Sequence, residues 1–174
     1  YIYAYRFIVL TGLRPGELRA LERKNIKGYQ VNINGAINSY NEHTQGKNEN
    51  AIRGFFMTDI AKATIEAQMN MNPNSELVFD IASTSTFRHR WTRYCESNEI
   101  PPTSLYALRH TFVSVVKKLP EGEVKPIIGH SKDMDTFGTY GHEISGEQQQ
   151  VAEEINSLFV NLISESVVKS VVNK

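Results

Sequence analysis

The stretch 104–116, "SLYALRHTFVSVV", decides how the chain is read. Leu105, Leu108, Phe112, Val115 and Leu119 recur at alternating spacings of three and four, the period of an amphipathic helix that buries one stripe. Arg109 falls at the edge of that stripe. A guanidinium half-removed from water cannot shed its charge, so it needs an anion. Tyr106 precedes it by one helical turn and shares its face. One segment therefore predicts both a core helix and an anion site beside it.

The 174 residues suffice for one domain with a sizeable core. No apolar run approaches membrane-spanning length, and no charged-then-apolar leader is visible. Cys95 is the one cysteine, which rules out an internal disulfide and fits a reducing compartment, so a soluble cytoplasmic protein is expected. Net charge is zero, but unevenly spread. Residues 1–30 carry six Lys/Arg against two acids, and 86–132 carry eight against four. Residues 133–174 reverse the sign, with seven acids against two Lys. A local basic surface, which phosphate contact requires, is compatible with that distribution.

Working outward, "YIYAYRFIVL" is apolar from its first residue, which suggests a fragment whose N-terminal portion is missing. Gly12 ends this helix and Pro15, a favoured first helical residue, starts the next. The runs "YQVNING", "AINSY" and "AIRGFFM" predict a small antiparallel three-stranded sheet, with a turn at Asn34-Gly35 and a long polar loop before the last strand. "TDIAKATIEAQMNM" reads as a helix capped by Thr58, and "STSTFRHRWTRYCESN" as a helix with basic or His residues on one side. A short helix "GEVKPIIGH" and a C-terminal amphipathic helix from about Gly146 follow, the latter with an apolar face of Val151, Ile155, Leu158, Phe159 and Leu162. The fold class expected is α+β, mainly α.

Individual residues are ambiguous. Arg14 stands just before a helix N-terminus, where it either reaches to solvent or shares an anion with the free amides. Lys47 is either a solvated loop lysine or an ammonium that closes over a phosphate. His130 at a helix end and Tyr140 in "DTFGTYGHE" have structural readings of their own. No HExxH or Cys/His pairing supports a metal site, and none is expected, nor is another cofactor.

Their order is more specific. "TGLRPGEL", "LRHTF", "IIGHS" and "TYGH", in that sequence and at matching spacing, resemble the catalytic domain of the tyrosine recombinases, the phage integrase family. The resemblance runs from about Tyr3 to Phe159 and implies that 1–174 is one such catalytic domain, lacking the core-binding and arm-binding domains, with 146–174 as a helical tail. It implies catalytic roles for Arg14, Lys47, Arg109, His130 and Tyr140, the first four also holding DNA, with Glu17 as a support of the site. Tyr140 would attack the scissile phosphorus, forming a 3′-phosphotyrosyl link and releasing a 5′-hydroxyl, while Lys47 protonates that leaving oxygen. A second 5′-hydroxyl would reverse the step. The partners implied are double-stranded DNA attachment sites and further copies of the chain, as a tetramer assembled through the tail, with integration or excision of a phage or conjugative element as the outcome. A tail docked on its own domain is the equal alternative.

The departure from the family pattern is Tyr106, where most members carry His. A phenol with an ordinary pKa near ~10 is a poor proton acceptor at neutral pH but a good donor to a phosphate oxygen. That leaves His130, a water or the phosphate itself to take the nucleophile's proton. Tyr106 is also a rival nucleophile, less suited than the Gly-flanked Tyr140. Two other functions stay open: a DNA-binding relative without catalysis, and a type IB topoisomerase.

Overall fold

A computed structural model describes residues 1–45, 52–129 and 146–172. The elements in chain order are helix α1 (Ile2–Thr11), short helix α2 (Pro15–Arg19), a 3-10 turn (Arg23–Asn25), strands β1 (Ile26–Lys27), β2 (Gln30–Ile33), β3 (Ala36–Ile37), β4 (His43–Thr44) and β5 (Arg53–Phe56), then helices α3 (Asp59–Met71), α4 (Thr84–Ser97), α5 (Leu105–Val116), α6 (Glu121–Ile128) and α7 (Glu147–Val172). The architecture is α+β and mainly helical, as the periodicities predict. None of the described helices is long and apolar enough to cross a membrane.

Helix α5 runs through the core and packs on α1 and α7. Leu105, Leu108, Phe112 and Val116 are buried, while Val115 and Leu119 are only partly covered. The stripe moves from Val115 to Val116 because 3.6 residues per turn rotate a strict 3-4 repeat off one line. Arg109 lies inside the stripe and not at its edge, with 4% of its surface exposed. Phe7, Ile8, Leu13, Phe87 and Phe112 form the fully enclosed centre.

Helix α1 stops at Gly12, whose φ of 67° is left-handed and whose N–H caps the helix on Ile8 O at 2.8 Å. A Cβ there would also lie 2.5 Å from the Phe112 ring. Helix α3 begins on the expected cap, Thr58 Oγ1 accepting from Ala61 N at 3.1 Å, and α4 begins on Ser83, whose Oγ accepts from Thr86 N at 3.0 Å.

The sheet differs in membership from the one expected. Its three antiparallel strands are β1, β2 and β5, with Ile26 opposite Val31 and Val31 opposite Phe55. The tight turn is at Gly28-Tyr29, where Gly28 takes a φ of 60° at the first loop position, as a type II′ hairpin requires. Residues of "AINSY" leave the sheet instead. They form β3, which pairs with β4 in a separate two-stranded ribbon. Asn34-Gly35 is thus the link between sheet and ribbon, and Gly35 lets the chain approach Thr44 O, which an added Cβ would meet at 2.7 Å. Arg19, 3% exposed, explains why the ribbon swings away: its guanidinium donates to Asn38 O, Asn41 Oδ1 and Thr84 Oγ1, tying ribbon, α2 and the start of α4 together.

Helix α7 docks on its own domain through Val151, Ala152, Ile155 and Phe159, against α5, α3 and β5. The Phe159 ring stacks near Phe112 at 6.2 Å between centroids. Leu158 is partly covered, and Leu162 of the expected face is 49% exposed, as are neighbouring Val160 and Ile163 to similar extents. Gly12→Ala tests the core junction: left-handed strain of about 1–2 kcal/mol adds to the clash with Phe112, so the loss in a denaturant titration should exceed that range.

Candidate active site

The site is organised by where three arginines put their N–H groups. Arg109 reaches from α5 to donate Nη1 to Gly12 O and Nη2 to Ile128 O at 2.8 Å. Arg53 reaches from β5 to donate Nε to Ile127 O at 2.8 Å. Arg14, the residue before α2, donates Nη2 to Gly129 O at 3.1 Å. Three successive carbonyls at the end of α6 thus each accept from a different guanidinium. The last carbonyls of a helix have no partner within it and sit at the negative end of its dipole, so cations are the natural donors there. Gly129 closes α6 in the left-handed region, φ 65°, and a Cβ on it would lie 2.7 Å from Arg53 Nη1.

Glu17 ties two of the arginines together. It is 4% exposed, in the first turn of α2, and its Oε2 accepts the backbone N–H of Arg14 at 2.9 Å. Arg14 Nη1 reaches Oε1 at 2.8 Å, and Arg53 forks onto both oxygens at 2.9 Å each. The anion that the α2 amides were expected to share is therefore first of all the chain's own carboxylate. Burial by itself pushes the Glu17 carboxyl up. The hydrogen bonds and charge of Arg53, with those of Arg14, outweigh burial and hold it below the usual carboxylate range.

Arg109 stands under the opposite pressure. Burial, followed by the nearby charge of Arg14, lowers its pKa to about 10, which leaves it cationic at neutral pH. Among the described residues the cluster holds three guanidiniums and one carboxylate, a surplus of two positive charges. Arg109 and Arg14 each use two of their five N–H donors in the bonds described. Such an arrangement binds a tetrahedral oxyanion and stabilises charge that grows on it.

Of the residues singled out in the sequence, Arg14, Glu17 and Arg109 come together. Tyr106 lies at the rim, 47% exposed, with its ring 6.2 Å from that of His110 and its phenol within electrostatic reach of Arg109. Lys47, His130 and Tyr140 lie outside the described residues. Arg53 is the residue that sequence reading passed over. Its signal was there: strand alternation puts Arg53 on the face of buried Phe55 and Met57, and an inward-facing arginine needs a buried carboxylate. Among the described residues no three His, Cys, Asp or Glu side chains group as metal ligands would.

With the geometry in place, comparison with known proteins is decisive for the family. Residues 2–146 match the profile of the phage integrase family. The chain belongs to that family. The ICEBs1 integrase of Bacillus subtilis (strain 168) is 24% identical over 178 residues, covering 88% of this chain and 48% of that protein. Among solved structures, the Tn1549 transposon integrase in complex with transposon right end DNA superposes with a TM-score of 0.63 at 18% identity, covering 86% of this chain and 56% of that one. XerA recombinase gives 0.60 at 19% identity, covering 86% and 55%. The fold is that of a tyrosine-recombinase catalytic domain, and the chain spans about half the length of these relatives.

The site makes a prediction about acid. Because the folded Glu17 carboxyl titrates below its ordinary value of ~4.3, its contribution is complete above that pH and is lost as pH falls through the folded value. Denaturant titrations across the acid range should show this loss in the parent protein and not in Glu17→Gln. At neutral pH that variant should be less stable by about 3–5 kcal/mol, the usual result of breaking a buried ion pair from one side.

Proposed function

We propose that this chain is the catalytic domain of a site-specific DNA recombinase, an integrase of a phage or conjugative element. One observation carries the reading: Arg14 and Arg109 converge on one helix end with donors that none of the described residues takes up, in a cluster whose charge among those residues calls for an anion. Two planar guanidiniums, each able to fork, match the two non-bridging oxygens of a phosphodiester. Membership of the phage integrase family supports that choice of anion over a free phosphate.

The chemistry follows from the residue types. Tyr140 Oη attacks the phosphorus, its proton passing to a water or to the phosphate itself, the P–O5′ bond breaks, and the enzyme becomes linked to the 3′-phosphate. Lys47 gives the leaving 5′-oxygen its proton, an effect worth ~10²–10⁴ in rate. Arg14 and Arg109 take up the charge that develops on the phosphoryl oxygens, with His130, which directly follows Gly129 in the chain, as a further donor. Tyr106, exposed at the rim, serves as a hydrogen-bond donor to the same phosphate. Attack by a 5′-hydroxyl of a partner duplex reverses the first step, so bond energy is conserved without a nucleotide cofactor.

Double-stranded DNA as the partner has independent support in α4. Arg88, His89, Arg90 and Arg93 are all exposed on it, and among the described residues none of its arginines pairs with a carboxylate. Such a face suits a row of backbone phosphates. The Tn1549 integrase is itself solved on DNA. The exposed Val160, Leu162 and Ile163 on α7 suit contact with another copy, consistent with a tetramer on DNA acting in the bacterial cytoplasm. The test uses the full-length protein and a nicked duplex spanning the element's own junction. A protein–DNA adduct that survives denaturation should form, be absent with Tyr140→Phe, and form ~10²–10³ more slowly with Arg109→Lys, which cannot fork. An adduct undiminished in Tyr140→Phe overturns the nucleophile.

A further inference from the structure

Arg53 has no part in the reaction just described, yet among the described residues it makes more side-chain bonds than either other arginine of the cluster. Its side chain is 7% exposed, and three of its donors are engaged: two on Glu17 and one on Ile127 O. It is the one member that joins the sheet to both the start of α2 and the end of α6.

We infer that Arg53 is a positioning residue for the phosphate site, an inference that rests on the recombinase reading above. Its function is charge allocation as well as bracing. Glu17 is a buried carboxylate one turn from Arg14 and needs a full counter-charge. Arg53 supplies it bidentately, so Arg14 holds Glu17 through a single Nη and keeps its remaining donors for an incoming oxyanion. Without Arg53 the carboxylate would draw on Arg14 alone, and the substrate and Glu17 would compete for one guanidinium. The same side chain fixes the height of α6, since Ile127 O is bonded to it and Gly129, packed on its Nη1, has no room for a Cβ. Gly129 O and Ile128 O in turn hold Arg14 and Arg109. A displacement of ~1 Å at a reacting phosphate costs about 10² in rate, which sets the size of effect expected.

The two roles separate by pH. Arg53→Met keeps the aliphatic stem and removes the charge, so the Glu17 carboxyl loses the partner that does most to hold it low and its pKa rises, as burial dictates. Protonating Glu17 releases Arg14, and ionising it recaptures Arg14. The experiment measures adduct formation by the full-length protein on the nicked junction duplex, across pH, for the parent, Arg53→Met, Arg53→Lys and the double variant Arg53→Met/Glu17→Gln, with Tyr140→Phe as background. Melting curves check folding. The expected result is a loss of about 10²-fold for Arg53→Met near neutral pH with a changed pH profile, partial rescue by Arg53→Lys, and substantial rescue in the double variant, where no carboxylate is left to compete. An unchanged rate, or a uniform loss at every pH that Glu17→Gln does not relieve, overturns the inference and leaves Arg53 a structural residue only. A parent protein that forms no adduct above the Tyr140→Phe background overturns the recombinase reading, and this inference with it.

Discussion

The end of one short helix bears most of what matters in this molecule. Three guanidiniums from α2, β5 and α5 converge on Ile127 O, Ile128 O and Gly129 O, and a single buried carboxylate links two of them. Each partner solves the other's problem. The terminal carbonyls of α6 would be unsatisfied inside the protein, and the arginines would be charges removed from water. Remove the helix end, and all three lose a contact that aims them. Remove the carboxylate, and three like charges face one another.

That arrangement is stable but not neutral. Buried arginine is tolerable because its charge is delocalised and its five donors can be shared among several acceptors. Carbonyl dipoles solvate Arg109 without cancelling its charge, and burial first, then the nearby charge of Arg14, lowers its pKa to about 10. A site kept in this condition has already made its reorganisation during folding. On the recombinase reading proposed above, an entering oxyanion would relieve the repulsion, and relieve it further as negative charge accumulates in a phosphoryl transition state. Stability of the fold and readiness of the site are therefore two consequences of one set of bonds.

Much of this was legible in the sequence, for identifiable reasons. The apolar period of α5, the glycine that ends α1, and the Thr58 cap are local signals, and each is found in place. Arg14, Glu17 and Arg109 were legible because helix spacing and motif order fix them. Less legible were features set by distant partners. The depth of Arg109 depends on the carbonyls of Gly12 and Ile128, neither predictable from its own stretch. The ribbon of β3 and β4 leaves the sheet because Arg19, three elements away, binds its backbone. Alternation puts Arg53 on the buried face of its strand, but the carboxylate it serves, Glu17, lies 36 residues away and is not marked by that pattern.

The central claim is that Arg14 and Arg109 form an oxyanion cradle while Arg53 is committed to Glu17. Diffusing tungstate, a tetrahedral oxyanion with a strong anomalous signal, into crystals of the full-length protein tests it directly. The account predicts an anomalous peak within hydrogen-bonding distance of the Arg14 and Arg109 guanidiniums, with Arg53 still forked on Glu17. A site left empty while tungstate occupies the basic face of α4, or an ion held by Arg53 after it has left Glu17, would contradict it.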